Sequence, residues 1–336
     1  MTAGANLARS AVIPSPDRAR SLLLPAGTHM TDAHTKRLFA VINPVAGSCD
    51  AATVQDALHR ACTSVGLDCE CYLTTGNDDI SAIVRQAIEH GCCRVVAAGG
   101  DGTVAAVASV VAEYPVPLAV LPVGTANLLA REMGIPLELE AACELAVNGQ
   151  YRRRLDAMKI RQQLFFSHVS LGVYSKIAEK TSPAAKRYFR RIAYIWNALP
   201  ELLGKRSWRF TLTVDGQTSH PRASFIMIAN VGGLGAGDLR WGPEIEPDDG
   251  EVDICIVHAR SLWDYAVLGW HVLSHRHREA PKLTYLRARQ NVQIKTRKRV
   301  PVRGDGEIVG QSTLDLTILP QAIAVIAAAA SAAEAA

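Results

Sequence analysis

The sequence predicts an α/β fold in two parts, an α/β domain over 37–150 and a β-rich domain over 151–327. Three observations point there. The 336 residues suit two domains of about 150 residues each. From Leu38 onward, short apolar runs alternate with amphipathic segments, the pattern of parallel strands joined by helical crossovers. After Tyr151 the composition shifts toward strands. With 49% hydrophobic and 20% charged residues, the chain has a globular composition that excludes a largely disordered protein.

In the first part the pattern predicts a strand over 38–42, a helix over 51–65, a strand over 68–73 and a helix over 78–90. Strands over 94–98 and 118–121 follow, each leading into a helix, 104–112 and 126–132. The second part reads as strands over 155–160, 164–171, 208–214, 224–229 and 252–257, with helices over 184–203 and 262–278. Asp215-Gly216 marks a turn between strand regions. Residues 1–36 lack apolar periodicity and read as a flexible extension. The uncharged stretch Leu316–Ala333 is a poor membrane span because it holds Pro320, Gln321 and many alanines. It reads as a strand to about Ile326 with an Ala-rich tail over 328–336, so any membrane contact is expected to be peripheral.

Net charge is only +4, from 36 Lys and Arg against 32 Asp and Glu, but it is uneven. Residues 151–310 hold 27 basic and 15 acidic side chains, a balance of +12, which leaves −8 for the rest. Such a region suits phosphate-bearing surfaces or is a solvated basic face. The eight cysteines show no Cys-x-x-Cys spacing, which argues against a zinc ribbon or thioredoxin-type site and fits reduced thiols in a cytoplasmic protein. His271, His275 and His277 lie close in sequence, but lack the His-Glu-x-x-His pattern and are crowded by Arg276 and Arg278.

Three strand-to-helix junctions carry unusual residues: Asn43-Pro-Val-Ala-Gly47, Gly99-Gly100-Asp101-Gly102-Thr103 and Pro122-Val-Gly-Thr125-Ala-Asn127. In an open parallel sheet such junctions share the carboxyl edge, where these folds bind ligands. Glycines let backbone amides approach phosphate oxygens, helix N-termini add unpaired N–H groups, and Thr103 and Thr125 add hydroxyls. Asp101 is a poor phosphate neighbour unless a cation intervenes, which implies Mg²⁺ bridging to a nucleotide; a helix-capping role is the alternative. There is no Gly-x-x-x-x-Gly-Lys-Ser/Thr, which excludes a P-loop ATPase, and no Gly-x-Gly-x-x-Gly after a strand.

Taken in order, these three motifs resemble the diacylglycerol kinase catalytic domain family, which includes bacterial lipid kinases and the sphingosine and ceramide kinases and is related to NAD kinases. The likeness continues through Ser170-Leu-Gly172, Pro247-Asp-Asp-Gly-Glu251 and Asp305-Gly-Glu307 and spans about 37–327. The resemblance implies a nucleotide-binding α/β domain followed by a β-sandwich, with ATP between them. It implies nucleotide contacts at Asn43, Thr74, Gly99, Gly100, Asp101, Gly102, Thr103 and Thr125, and catalytic acids at Asp305 and Glu307. It also implies a structural Mg²⁺ at Asp249 with backbone help from Glu246 and Glu251. A carboxylate beside the acceptor hydroxyl can take its proton as phosphoryl transfer proceeds; read alone, Gly304-Asp305-Gly306 is sooner a hairpin turn with solvated acids, and the resemblance reverses that preference.

The expected activity is ATP- and Mg²⁺-dependent phosphorylation of a lipid hydroxyl, diacylglycerol or a related lipid. A soluble NAD kinase shares the Gly-Gly-Asp-Gly-Thr loop but lacks the downstream acidic elements. A regulator without turnover is the other alternative, because Ala105 and Ala106 stand where similar kinases carry an Asn-Glu pair. The expected partners are ATP, the lipid and an anionic membrane surface touched peripherally, without nucleic acid; a homodimer is left open. Membrane contact would come from a stripe of Tyr188, Ile192, Ile195 and Leu199 flanked by Lys186, Arg187, Arg190 and Arg191, which equally suits packing on the core. The run Lys295, Arg297, Lys298, Arg299 suits an edge strand or a lipid-facing one.

Overall fold

A computed structural model describes residues 37–47, 49–172, 207–234, 240–242, 244–274 and 276–329. Leu38 through Ile42 are all buried in the first strand, β1 (Arg37–Ile42), as expected for a parallel strand covered on both faces. It is followed by α1 (Ala51–Ser64), β2 (Asp68–Leu73), α2 (Ile80–Glu89), β3 (Arg94–Ala98), α3 (Asp101–Val111), β4 (Leu118–Leu121), α4 (Leu128–Glu132) and α5 (Leu139–Asn148). The four strands are parallel in the order β2-β1-β3-β4. The chain leaves β1 outward to β2 and returns on the other side to β3, so the strand order reverses between β1 and β3. Open α/β sheets bind ligands at such a point.

The rest is almost all strand: β5 (Arg152–Ile160), β6 (Gln163–Phe165), β7 (His168–Gly172), β8 (Trp208–Val214), β9 (Gln217–Ser219), β10 (Arg222–Ala223), β11 (Phe225–Ala229) and β12 (Val252–Val257). Then come α6 (Leu262–Leu273), β13 (Leu283–Ala288), β14 (Asn291–Thr296), β15 (Pro301–Gly304), β16 (Glu307–Gln311) and β17 (Thr313–Ile326). An antiparallel sheet in the order β13-β12-β11-β7-β15-β16 faces a second layer that includes β5, β6, β8, β14 and β17. Between them lies a core that includes Met158, Leu171, Phe210, Ile226, Ile254 and Leu316. The architecture is therefore a mixed α/β domain joined to an antiparallel β-sandwich. The final strand β17 pairs with β5 and β14 and, through Val325 and Leu118, runs parallel to β4. One sheet thus continues through both parts.

Several elements differ from expectation for identifiable reasons. The strand expected over 164–171 is split into β6 and β7, which belong to different sheets, because the amides of Phe166, Ser167 and His168 all turn to the Asp305 carboxylate. The helix expected from 126 starts at Leu128, since Asn127 is left-handed with φ 48°. The helix expected over 262–278 ends at Leu273, with one 3₁₀ turn at His277–Glu279. Lys295 is in β14, which has neighbours on both sides, so it is not on an edge strand, and Arg297–Arg299 lie in the following turn. The helix expected over 184–203 lies outside the described residues. Among the described residues no helix is long and apolar enough to cross a membrane.

Candidate active site

The three glycine-bearing bends follow β1, β3 and β4 and are in contact. A Cβ on Gly47 would lie 1.8 Å from the Val123 carbonyl oxygen, and one on Gly124 would lie 2.4 Å from Gly100 Cα. Only residues without a side chain let the first bend touch the third and the third touch the second. Asn43 joins the set: its Nδ2 donates to Thr103 Oγ1 at 3.0 Å, and its own amide donates to the Ala98 carbonyl at 2.9 Å. Thr74, at the carboxyl end of β2, donates its amide to Ile42 at 2.9 Å. Asn43, Thr74, Gly99, Gly100, Asp101, Thr103 and Thr125 therefore share one edge of the sheet. Gly102 is exposed with open space around it, and Thr125 is also exposed.

Helix α3 starts at Asp101, with Gly100 as N-cap and no side-chain cap; its first in-helix amide bond is Val104 to Gly100. The amides of 101–103 are thus the free N–H groups of an uncapped helix start, a favourable setting for anionic oxygens. Asp101 does cap a helix, though not its own: Oδ1 accepts the Leu128 amide of α4 at 2.6 Å. Burial raises its pKa, and the backbone amides around Leu128 act against that.

Asp305 occupies the two-residue turn between β15 and β16, with φ 45° at Asp305 and 92° at Gly306. The turn is pressed close, since a Cβ on Gly304 would meet the Phe165 ring at 2.4 Å. The Asp305 carboxylate accepts three successive amides, Phe166 at 2.8 Å, Ser167 at 2.9 Å and His168 at 3.0 Å. Three such bonds would lower a carboxylate pKa. Burial outweighs them and, with the nearby negative charge of Asp101, pushes Asp305 up to about 6. The charge of Asp101, from the first part of the fold, thus adds to the effect of burial at Asp305. Glu307 lies on β16, exposed to solvent.

The acidic turn before β12 is built differently. Asp249 Oδ1 accepts the Glu251 amide at 2.9 Å, and its pKa is raised by burial and by the charges of Glu251 and Glu246. The buried Glu251 carboxylate pairs with Arg287 at 3.4 Å and with Arg289, so only its backbone remains for another role. Glu246 is exposed. No three of Asp101, Glu246, Asp249 and Glu251 bring ligand oxygens within 4.8 Å of one another. Asp101 is thus the carboxylate placed at the glycine bends, apart from that turn.

Four further residues hold the site without having been assigned a role from sequence. Asp156 is fully buried and accepts the amides of Gly250 and Gln321, both at 2.7 Å. Asn230 donates to the carbonyls of Asp156 and Phe166 at 3.0 Å, tying the acidic turn to the Asp305 clamp. The His168 ring bonds the Val231 carbonyl, and burial lowers its pKa to about 4, so it is neutral near pH 7. Asn127 donates to Pro122 and Gly124, while its buried Oδ1 has no hydrogen-bond partner among the described residues. Asp156, set between the apolar Leu155 and Ala157–Met158 in the otherwise charged β5, was the one available signal. Across the two parts, Arg240 pairs with Glu132 at 2.8 Å and Arg153 donates to the Glu132 carbonyl at 3.2 Å, while Arg153 also meets Asp248 of its own part with two bonds of 2.6 Å.

Comparison with known proteins gives two family matches: residues 37–160 match the diacylglycerol kinase catalytic domain, and 167–327 match the YegS C-terminal NAD kinase beta sandwich-like domain. A diacylglycerol kinase of Staphylococcus carnosus is 23% identical over 292 residues, covering 86% of this chain and 94% of the relative. A probable lipid kinase, YegS-like, of Pseudomonas aeruginosa is 32% identical over 203 residues, 57% of this chain and 63% of the relative. Two crystal structures from Bacillus anthracis str. Sterne superpose with TM-scores of 0.74 and 0.66 at 21% and 18% identity. Each covers 89% of this chain and 99% of its own, and the second is described as a diacylglycerol kinase.

Proposed function

Because the chain belongs to the diacylglycerol kinase catalytic domain family, we propose that it transfers the γ-phosphate of ATP to the hydroxyl of a lipid, diacylglycerol or a close relative. The observation that carries this reading is the meeting of two chemistries. An amide-lined, glycine-walled edge is formed by the three bends, and a carboxylate with a pKa near neutrality, Asp305, stands within the field of Asp101.

Phosphoryl transfer asks mainly for positioning and for neutralisation of charge on the transferred oxygens. In this reading the free amides at the start of α3 and the Asn43–Thr103 pair hold the phosphates. Asp101 is the residue suited to a Mg²⁺ arriving with the nucleotide, because it is a carboxylate beside an otherwise anion-attracting loop. Mg²⁺, when bound, supplies charge neutralisation between that carboxylate and the phosphates. Three of the roughly four lone-pair sites on the Asp305 carboxylate are occupied by amides, leaving one to accept the proton of the acceptor hydroxyl. Glu307, two residues on and exposed, would in this reading be the second acid on the acceptor side. Asp249, with the backbone of Glu246 and Glu251, remains the proposed position of a structural cation.

Membrane contact is best supported at α6. Trp263 and Trp270, seven residues apart on one helical stripe, are 76% and 68% exposed, with Leu273 62% exposed and Leu262 nearby. Leu268 is the one buried residue of this twelve-residue helix. Arg260 and Lys282 flank it, together with Arg276 and Arg278, which pair with Glu279 and Glu244. Exposed tryptophans with flanking basic residues suit the boundary of an anionic bilayer, where each basic group contributes about 1 kcal/mol. Such docking would bring the sandwich to the phase that holds the substrate.

The test is to supply γ-labelled ATP with Mg²⁺, a mixed lipid extract and NAD⁺ together. Label is expected in the lipid phase. Label in NADP⁺ would favour a soluble kinase, and nucleotide binding without transfer would favour a regulator.

A further inference from the structure

A second cluster of reactive side chains lies outside the site described above, between α1 and the edge strand β2. Ligand atoms of His59, Cys69 and Cys71 lie within 4.8 Å of one another, the one such group of three among the described residues. Cys69 and Cys71 are two apart on β2 and so share one face of the strand. That face packs on the same core as Cys62 of α1. The two sulfurs are 3.7 Å apart. With zinc–sulfur bonds of about 2.3 Å, two thiolates on a tetrahedral ion stand about 3.8 Å apart. A disulfide suits the pair poorly, because Cα atoms two apart on a strand are separated by about 6.6 Å, near the upper end of the usual range.

The histidine is prepared for the same task. Its Nδ1 lies 2.8 Å from the Gln55 carbonyl, an acceptor only, so Nδ1 carries the proton and Nε2 presents its lone pair. A backbone carbonyl holding the far nitrogen is the common outer-shell arrangement of metal-bound histidines. Cys62, three residues after His59, is buried in the same core cluster that Cys69 and Cys71 pack against.

We propose that His59, Cys69 and Cys71 form a binding site for a thiophilic divalent cation of the zinc class, with Cys62, in the same core cluster, as the candidate for the fourth position. The site would fasten the second half of α1 to an edge strand that otherwise pairs only with β1. The sequence pattern is His-x-x-Cys-x₆-Cys-x-Cys. It escapes a search for Cys-x-x-Cys because a helix and a strand each supply part of the set.

The experiment titrates the full, tag-free, reduced chain with Co²⁺ alone and then with Zn²⁺. One Co²⁺ per chain is expected, with a sulfur-to-cobalt charge-transfer band and the strong visible bands of a tetrahedral ion, both bleached by Zn²⁺. Cys69→Ser and Cys71→Ser should each lose the charge-transfer band at stoichiometric metal. His59→Ala, at an exposed position that tolerates truncation, should shift the visible bands and weaken binding, while Cys93→Ser leaves the spectrum unchanged. Circular dichroism of each variant shows whether the fold survives. A weak octahedral spectrum, bands that persist in both serine variants, or a Cys69–Cys71 disulfide in protein kept under reducing conditions would overturn the proposal.

Discussion

Asp305 and Asp215 perform the same backbone clamp at opposite shifts of pKa. Each begins an Asp-Gly two-residue hairpin turn, with φ of 45° and 47°. Each accepts three successive amides from a neighbouring segment, 166–168 for Asp305 and 289–291 for Asp215. Each returns its own amide to that segment, to His168 at 2.9 Å and to Asn291 at 3.1 Å. At Asp215 the modest burial is outweighed by the amides of Arg289, Asn291 and Gln290, and its pKa falls. At Asp305 deeper burial and the Asp101 charge prevail, and its pKa rises to about 6.

This pair separates a structural role from a chemical one. Asp305→Ala and Asp215→Ala should both destabilise the fold, by about 1–3 kcal/mol for the amides left without an acceptor. Only Asp305→Ala should also lower turnover, by about 10² or more. Thermal melts measure the first effect, and lipid phosphorylation the second. Equal activity loss in both variants would reduce Asp305 to a staple.

The pH dependence follows from the raised value. An acid whose folded pKa lies above its unfolded one stabilises the fold fully below the unfolded value near 4, and that contribution is lost as pH rises through about 6. A base needs the ionised form, so kcat/KM should rise with pH through an acidic limb near 6 while this stability contribution declines over the same window. Asp305→Asn should remove the limb from residual activity. A profile flat from pH 5 to 7 in the wild-type protein would contradict the assignment.

Contact between the bends can be probed with two glycines of like backbone. Gly47 and Gly66 have φ of 66° and 68°, so alanine strains both by about 1–2 kcal/mol. Only at Gly47 does the added Cβ meet an atom, the Val123 carbonyl; at Gly66 nothing lies within 4 Å. Gly47→Ala should weaken ATP binding at least tenfold, and Gly66→Ala should leave it within about twofold, both read by calorimetry.

For the membrane, Trp263→Ala with Trp270→Ala should reduce binding to anionic vesicles without lowering the melting temperature, because both rings are already in solvent. Sedimentation with vesicles across a salt series reads this. Salt should weaken the wild-type protein further by screening the flanking basic groups. Unaltered binding by the double variant would exclude α6.

Much of this was legible in the sequence because three of the four strands of the first part, β1, β3 and β4, are buried apolar runs and each bend needs glycine. Leu38–Ile42 and Arg94–Ala98 stand out in composition, and Gly99-Gly-Asp-Gly-Thr103 has no cheaper explanation than a tight strand-to-helix passage. What stayed hidden depends on distant partners. The break at Phe166–Ser167 is set by a carboxylate some 140 residues later, and local apolar pattern carries no trace of it. The return of β17 to β4 likewise rests on long-range pairing. The burial of Asp156 was hinted at by its apolar surroundings, but its two amide donors come from 250 and 321.

The most direct measurement is a crystal structure with a non-hydrolysable ATP analogue and Mg²⁺. Phosphate oxygens within hydrogen-bond distance of the amides of 101–103 and of Asn43 or Thr103, with the γ-phosphate directed toward Asp305, are the predicted result. A nucleotide seated elsewhere, or phosphates turned away from these three bends, would contradict the account.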